Sequence, residues 1–138
     1  MKRKDPKYKH TYAMLLDDSE LDNFINQKVI EANHFANKVY INTGSKSALE
    51  FLNNLSISST EVANIFPEIV FVDINMPMMD GFQFLENLKS KLPEKFDSLK
   101  LVILTSSVNP DDRIKASEIS KSIVFLNKPL TKEMLDQL

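Results

Sequence analysis

Two adjacent carboxylates, Asp17-Asp18, a third at Asp73, a hydroxyl pair at Thr105-Ser106 and an ammonium at Lys128 are the groups in this sequence best suited to chemistry. Asp73 ends the apolar run Ile69-Val70-Phe71-Val72, which reads as a strand buried on both faces of a parallel sheet. Pro77 and the pair Asp80-Gly81 then force a turn, so no further strand covers Asp73. An acid at the carboxyl end of such a strand sits where open α/β sheets bind their ligands. An Asp there is also a common turn former or helix cap, and its companions decide between the two roles.

Three carboxylates brought to one place raise one another's pKa unless a cation compensates. A hard divalent ion does so, and Mg2+ typically takes one or two carboxylates while keeping waters for an anionic partner. Asp18 and Asp73 would be ligands, Asp17 would order a metal-bound water, and the backbone carbonyl of Asn75 would complete the shell. Carboxylate, Mg2+, hydroxyl and ammonium together suit phosphoryl transfer, which depends on positioning and charge neutralisation more than on covalent help. Asp73 would then attack phosphorus and form an aspartyl phosphate. The three equatorial oxygens would go to Mg2+, the Thr105 hydroxyl and Lys128.

These groups meet only if the elements carrying them end on one rim. Tyr12 to Leu16 reads as a first strand, followed by a helix capped by Ser19 or Asp22, with Phe24, Ile25, Val29 and Ile30 recurring at helical spacing. Lys38 to Asn42 is a second strand, and Ser45 to Leu55 a second helix with Ala48, Leu49 and Leu52 on one face. A Ser-rich loop follows from Ser56 to Thr60, and the Ile69 run is the third strand. Gly81 to Lys91 gives a third helix with Phe84, Leu85 and Leu88 facing inward, ended by Pro93. Leu101 to Leu104 is a fourth strand, and Pro110, preceded by Asn109 or Ser107, opens a fourth helix to about Ile119. Ser122 to Leu126 is a fifth strand, and Thr131 to Leu138 begins a final helix. Five such βα units predict one doubly wound, five-stranded parallel sheet with helices on both faces.

Composition narrows the possibilities. The absence of cysteine excludes disulfides, thiolate metal sites and thiol nucleophiles, leaving oxygen ligands as the natural metal donors beside two histidines. No apolar run approaches the ~20 residues that a membrane helix needs, and the N-terminus lacks the apolar core of a signal peptide, so a cytoplasmic protein is expected. Residues 1–10 carry five basic groups against Asp5 alone, and the remainder holds 12 basic and 18 acidic groups, a net charge of −6. Residues 1–9 thus read as a basic, mobile tail ahead of a domain over 10–138, and direct nucleic-acid binding by the acidic body is not expected. Gly44 and Gly81 are the only glycines, too few for a phosphate-cradling nucleotide loop. Met76, Met78 and Met79 read as loop and core packing.

Asp17-Asp18, Asp73 with Asn75, Met76, Pro77, Asp80 and Gly81, Thr105-Ser106 and Lys128-Pro129 resemble the receiver domain of response regulators in two-component signalling. Order and spacing agree over residues 10–138: 55 positions separate Asp18 from Asp73, and 55 separate Asp73 from Lys128. The resemblance implies a flavodoxin-like strand order 2-1-3-4-5 and phosphorylation of Asp73 by a histidine kinase or phosphotransfer protein. The chain would be a switch that catalyses its own phosphorylation and dephosphorylation rather than an enzyme. It further implies a cis Lys128-Pro129 bond and a switch pair, Thr105 and Phe125, in which Phe125 lacks the hydroxyl of the more usual tyrosine. Output would pass from the fourth helix, fifth strand and fifth helix, including Arg113, Ile114, Phe125 and Leu130, to a downstream protein target. A stand-alone, chemotaxis-regulator-like receiver is expected, monomeric or forming a weak dimer on phosphorylation. The alternatives are a receiver-shaped interaction module that takes no phosphate and a Mg2+-dependent aspartyl-phosphate hydrolase of the haloacid dehalogenase type. The hydrolase needs a second Asp two residues after the nucleophile, where this chain has Asn75.

Overall fold

Short aliphatic runs that must be buried on both faces form the centre of the molecule, and a computed structural model describes them within residues 7–60 and 64–138. The strands are β1 (His10–Leu16), β2 (Ala36–Asn42), β3 (Ile69–Val72), β4 (Lys100–Thr105) and β5 (Val124–Asn127). They pair in parallel in the order β2-β1-β3-β4-β5, the expected order 2-1-3-4-5. Successive side chains alternate between two cores. Met14, Leu16, Val70, Val72 and Ile103 face one, and Ala13, Leu15, Ile69, Phe71 and Val102 face the other.

Helices α2 (Ser45–Ser58), α3 (Gly81–Lys91), α4 (Pro93–Ser98) and α5 (Pro110–Ile119) cover the first core. Helices α1 (Glu20–Ala32) and α6 (Lys132–Asp136) cover the second. The expected fourth and fifth helices are therefore α5 and α6, because Pro93 both ends α3 and occupies the first turn of the additional helix α4, where its missing N–H costs nothing. Helix α2 runs on to Ser58, through most of the expected Ser-rich loop. Ser19 and Asn109 are the caps of α1 and α5. Asp80 caps α3 in a reciprocal pair with Gln83: its side chain accepts from the Gln83 N–H at 2.8 Å while its own N–H donates to Gln83 Oε1 at 2.9 Å.

Helix α1 does not bury the face that its apolar residues suggest. Phe24 and Ile25 are 57% and 41% exposed, while Asn23, Asn26 and Ile30 are buried. Asn23 Nδ2 donates to the Asp17 carbonyl at 2.8 Å, and Asn26 Oδ1 accepts from the Leu130 N–H at 3.4 Å, so the asparagines tie the helix to the two loops flanking β1 and β5. Replacing Asn23 by Ala strands a buried carbonyl, for which an unmet polar group costs about 1–3 kcal/mol. The expected result is that loss of stability in urea unfolding, with the transition slope unchanged.

Of the basic head expected over residues 1–9, residues 1–6 lie outside the described residues, as do 61–63. From Lys9 onward the chain joins the sheet alongside the start of β2, with the Lys9 and His10 N–H groups donating to the carbonyls of His34 and Phe35 at 3.1 and 2.8 Å. No helix among the described residues is long and apolar enough to cross a membrane.

Candidate functional site

Register brings the acids together. Leu16 pairs with Val72 across β1 and β3, so Asp17 and Asp73 leave adjacent strands at the same level, and the Asp73 N–H donates to the Leu16 carbonyl at 2.9 Å. Asp17 and Asp73 are buried at 5% and 7% exposure, whereas Asp18 faces solvent. Carboxylate oxygens of Asp17, Asp18 and Asp73 all lie within 4.8 Å of one another, a spacing that one divalent cation can span. Asp17 Oδ1 accepts from the Ser19 N–H at 2.9 Å, which fixes its orientation as α1 begins.

Thr105 ends β4 fully buried, and β5 delivers Lys128 beside it through a hydrogen bond from the Lys128 N–H to the Thr105 carbonyl, 2.9 Å. The Lys128-Pro129 bond is cis. The Lys128 ammonium lies 2.5 Å from Asp17 Oδ2, 2.8 Å from Asp22 Oδ2 and 3.6 Å from Asp73 Oδ2. Asn75 lies in the exposed loop just beyond Ile74.

Charge and burial compete here. Burial pushes the Asp73 carboxyl above the usual Asp range and the Asp17 carboxylate adds to this, against the pull of Lys128 and hydrogen bonds from Thr105 and the Ile74 backbone. Burial alone would favour a neutral Lys128, but hydrogen bonds with Asp17 and Asp22 and the charge of Asp73 raise its pKa instead. The site therefore holds a partly desolvated carboxyl at Asp73 beside a firmly charged ammonium. A buried carboxylate, a trio of acids spaced for one cation and two hydrogen-bond donors have the chemistry to receive an anion together.

Phe125 is half-buried against the first core, with the Arg113 guanidinium of α5 4.6 Å from its ring centre. Ile114 is exposed, but Leu130 is 2% exposed and packs under α1 and α6, so it belongs to the core rather than to the expected output surface. Met76 is buried and Met79 packs beside it, whereas Met78 is fully exposed in the left-handed region at φ 70° and is loop alone.

Two contacts were not legible in the residue pattern. Asp22 joins Lys128, although the sequence suggested only a capping role. Its place three residues beyond the helix cap that adjoins Asp18 was the available signal. Asn127 Nδ2 donates to the carbonyls of Thr105 and Ser107 at 3.2 and 2.6 Å and fastens the β4–α5 loop to β5. Ser107 is further bonded to Asp112 of α5.

The sequence profile of the response regulator receiver domain matches residues 13–138. The chain is 30% identical over 123 residues to the sensor histidine kinase CheAY of Helicobacter pylori, which covers 89% of this chain, while the chain spans 14% of that kinase. A two-component response regulator from Cytophaga hutchinsonii has a similar structure, with TM-score 0.81, 29% identity and 92% of each chain covered. The Mn2+-bound form of the response regulator Rcp1 shares the fold at TM-score 0.69 and 23% identity, over 92% of this chain and 88% of that one. With the sheet order, the paired acids on β1 and β3 and the profile in agreement, the chain belongs to the response regulator receiver domain family.

Proposed function

We propose that this receiver is a phosphorylation-driven switch whose acceptor is Asp73. The observation that carries the reading is the cluster of Asp17, Asp18 and Asp73 oxygens within 4.8 Å, with Lys128 alongside. A carboxylate oxygen of Asp73 attacks the phosphorus of a phosphohistidine on a histidine kinase or phosphotransfer protein. The new O–P bond forms as the P–N bond breaks, and the leaving imidazole keeps the electron pair and takes a proton. Hydrolysis of the aspartyl phosphate, with water as the attacking group, returns the carboxylate and inorganic phosphate.

The donor set fits Mg2+, being hard carboxylate oxygens with no sulfur, and the Asn75 carbonyl would complete the shell. When bound, Mg2+ supplies charge neutralisation for the transferring group. Asp18 and Asp73 would act as its ligands and Asp17 would order a bound water, while the Thr105 hydroxyl would donate to one phosphoryl oxygen and the Lys128 ammonium to another. Engagement of Thr105 would draw on the loop that Asn127 fastens, and Phe125, under the Arg113 guanidinium, would turn inward with it. A downstream protein reads the changed surface of α5 and β5, a population shift rather than a new fold. A cytoplasmic location belongs to the same reading.

Intact-mass measurement after incubation with acetyl phosphate tests this. One phosphoryl group should add in the presence of Mg2+ and not when the metal is chelated. Absence of any addition, or steady turnover of many phosphate esters, contradicts the reading.

Replacing Lys128 by Ala removes the cation that now occupies the space among Asp17, Asp22 and Asp73. Breaking a buried pair from one side typically costs about 3–5 kcal/mol, so the metal-free variant should unfold at lower urea. Mg2+ should bind the variant at least as tightly as the parent and recover much of that loss, because the ammonium no longer competes for Asp17. Calorimetric titration with Mg2+ checks the sign. Phosphorylation by acetyl phosphate should slow in the same variant.

A further inference from the structure

Asp22 is the partner of Lys128 that the phosphorylation chemistry does not use. It lies in the first turn of α1, its N–H donates to the Ser19 cap at 3.1 Å, and its carboxylate meets the Lys128 ammonium at 2.8 Å. The ammonium has three N–H donors. Asp17 and Asp22 stand within hydrogen-bond distance of it, while Asp73, the group that would carry the phosphoryl, remains at 3.6 Å. Asp22 is not one of the three acids whose oxygens cluster for a cation. A metal ion there would draw charge away from the Asp17–Lys128 pair but would leave the Asp22–Lys128 pair in place.

We propose that Asp22 is a positioning residue that holds Lys128 back and competes with the phosphoryl group on Asp73 for its ammonium. The inference rests on the reading of Asp73 as phosphoryl acceptor. The Asp22 side chain is 37% exposed against 12% for Lys128, so it holds the ammonium from the solvent side of the site. Every phosphoryl group that recruits Lys128 must first displace this carboxylate or share the ammonium with it. The apparent affinity of the site for a phosphoryl-like anion that needs the ammonium is scaled down to the fraction of time that Lys128 spends off Asp22.

The test measures beryllofluoride, a stable mimic of the phosphoryl group, binding to the full chain at saturating Mg2+. Asp22→Asn should tighten apparent binding about fivefold to tenfold, and Asp22→Glu, which keeps a carboxylate able to reach the ammonium, should stay within twofold of the parent. Glu20→Gln makes the same charge change one turn position away with no contact to Lys128, and it too should stay within twofold. Unchanged or weaker binding by Asp22→Asn, or an equal gain from Glu20→Gln, overturns the inference while leaving Asp73 as acceptor. Failure of the parent chain to bind beryllofluoride with Mg2+ overturns both. Thermal unfolding of each variant confirms that the fold is retained.

Discussion

Asp73→Asn should take up no phosphoryl group from acetyl phosphate and should be more stable than the parent at neutral pH. The first result follows from removal of the carboxylate proposed as the phosphoryl acceptor. The second follows from the electrostatics of a site built against its own stability. Burial and the neighbouring Asp17 hold the Asp73 carboxyl above the usual range, so the folded chain binds this proton more tightly than the unfolded one. The resulting penalty is absent below the unfolded value of about 3.9. It grows as pH rises through the raised folded value and is complete above it. The Tm gap between variant and parent should therefore be near zero at about pH 4 and open in favour of the variant by about pH 7. Mg2+ should narrow the gap, because it stabilises the folded parent by binding. A variant less stable than the parent at neutral pH would contradict this balance of forces.

Gly81→Ala should damage both the fold and the site. A Cβ at Gly81 would collide with the Asp73 carbonyl oxygen and stand 2.9 Å from the Ile74 Cα. Both are backbone atoms, so no side-chain rotation relieves the contact. The glycine is needed for close approach rather than for an unusual backbone angle. The Gly81 N–H donates to the Ile74 carbonyl at 2.9 Å, which draws the start of α3 against the end of β3. Forcing the two apart costs about 1–3 kcal/mol by the usual measure of overpacking. It also moves the backbone that carries Asp73. Urea unfolding should show the loss, and phosphorylation by acetyl phosphate should fall by at least tenfold. Parent-like values for both would remove the assigned role of the β3–α3 junction.

The parts of this protein visible in its sequence are those set by short-range pattern. Ile69 to Val72 is apolar at every position because both faces of β3 are covered, and a polar residue directly after such a run marks the rim. The residues at the ends of β1, β3 and β4 and just after β5 could be assembled into one site because parallel connection leaves few arrangements. What escaped depends on distant partners. Asn26 is polar in sequence yet buried, since it meets the Leu130 N–H 104 positions away, and Asn23 beside it is buried on the Asp17 carbonyl, which leaves Phe24 and Ile25 facing outward. Asp22 pairs with a lysine 106 positions away, and Asn127 reaches across to Ser107, 20 positions back. Helix α4 escaped for a different reason, because a proline that stops one helix is also favoured in the first turn of the next.

Reduction of the acetyl-phosphate-treated chain with borohydride, followed by peptide sequencing, tests the central claim most directly. An aspartyl phosphate is reduced to homoserine, whereas an untouched carboxylate and a phosphate ester on serine or threonine are not. The account predicts homoserine at position 73, only when Mg2+ is present, and none at positions 17, 18 or 22. Homoserine at another acid, or none at any position in a chain shown to be folded, would contradict it.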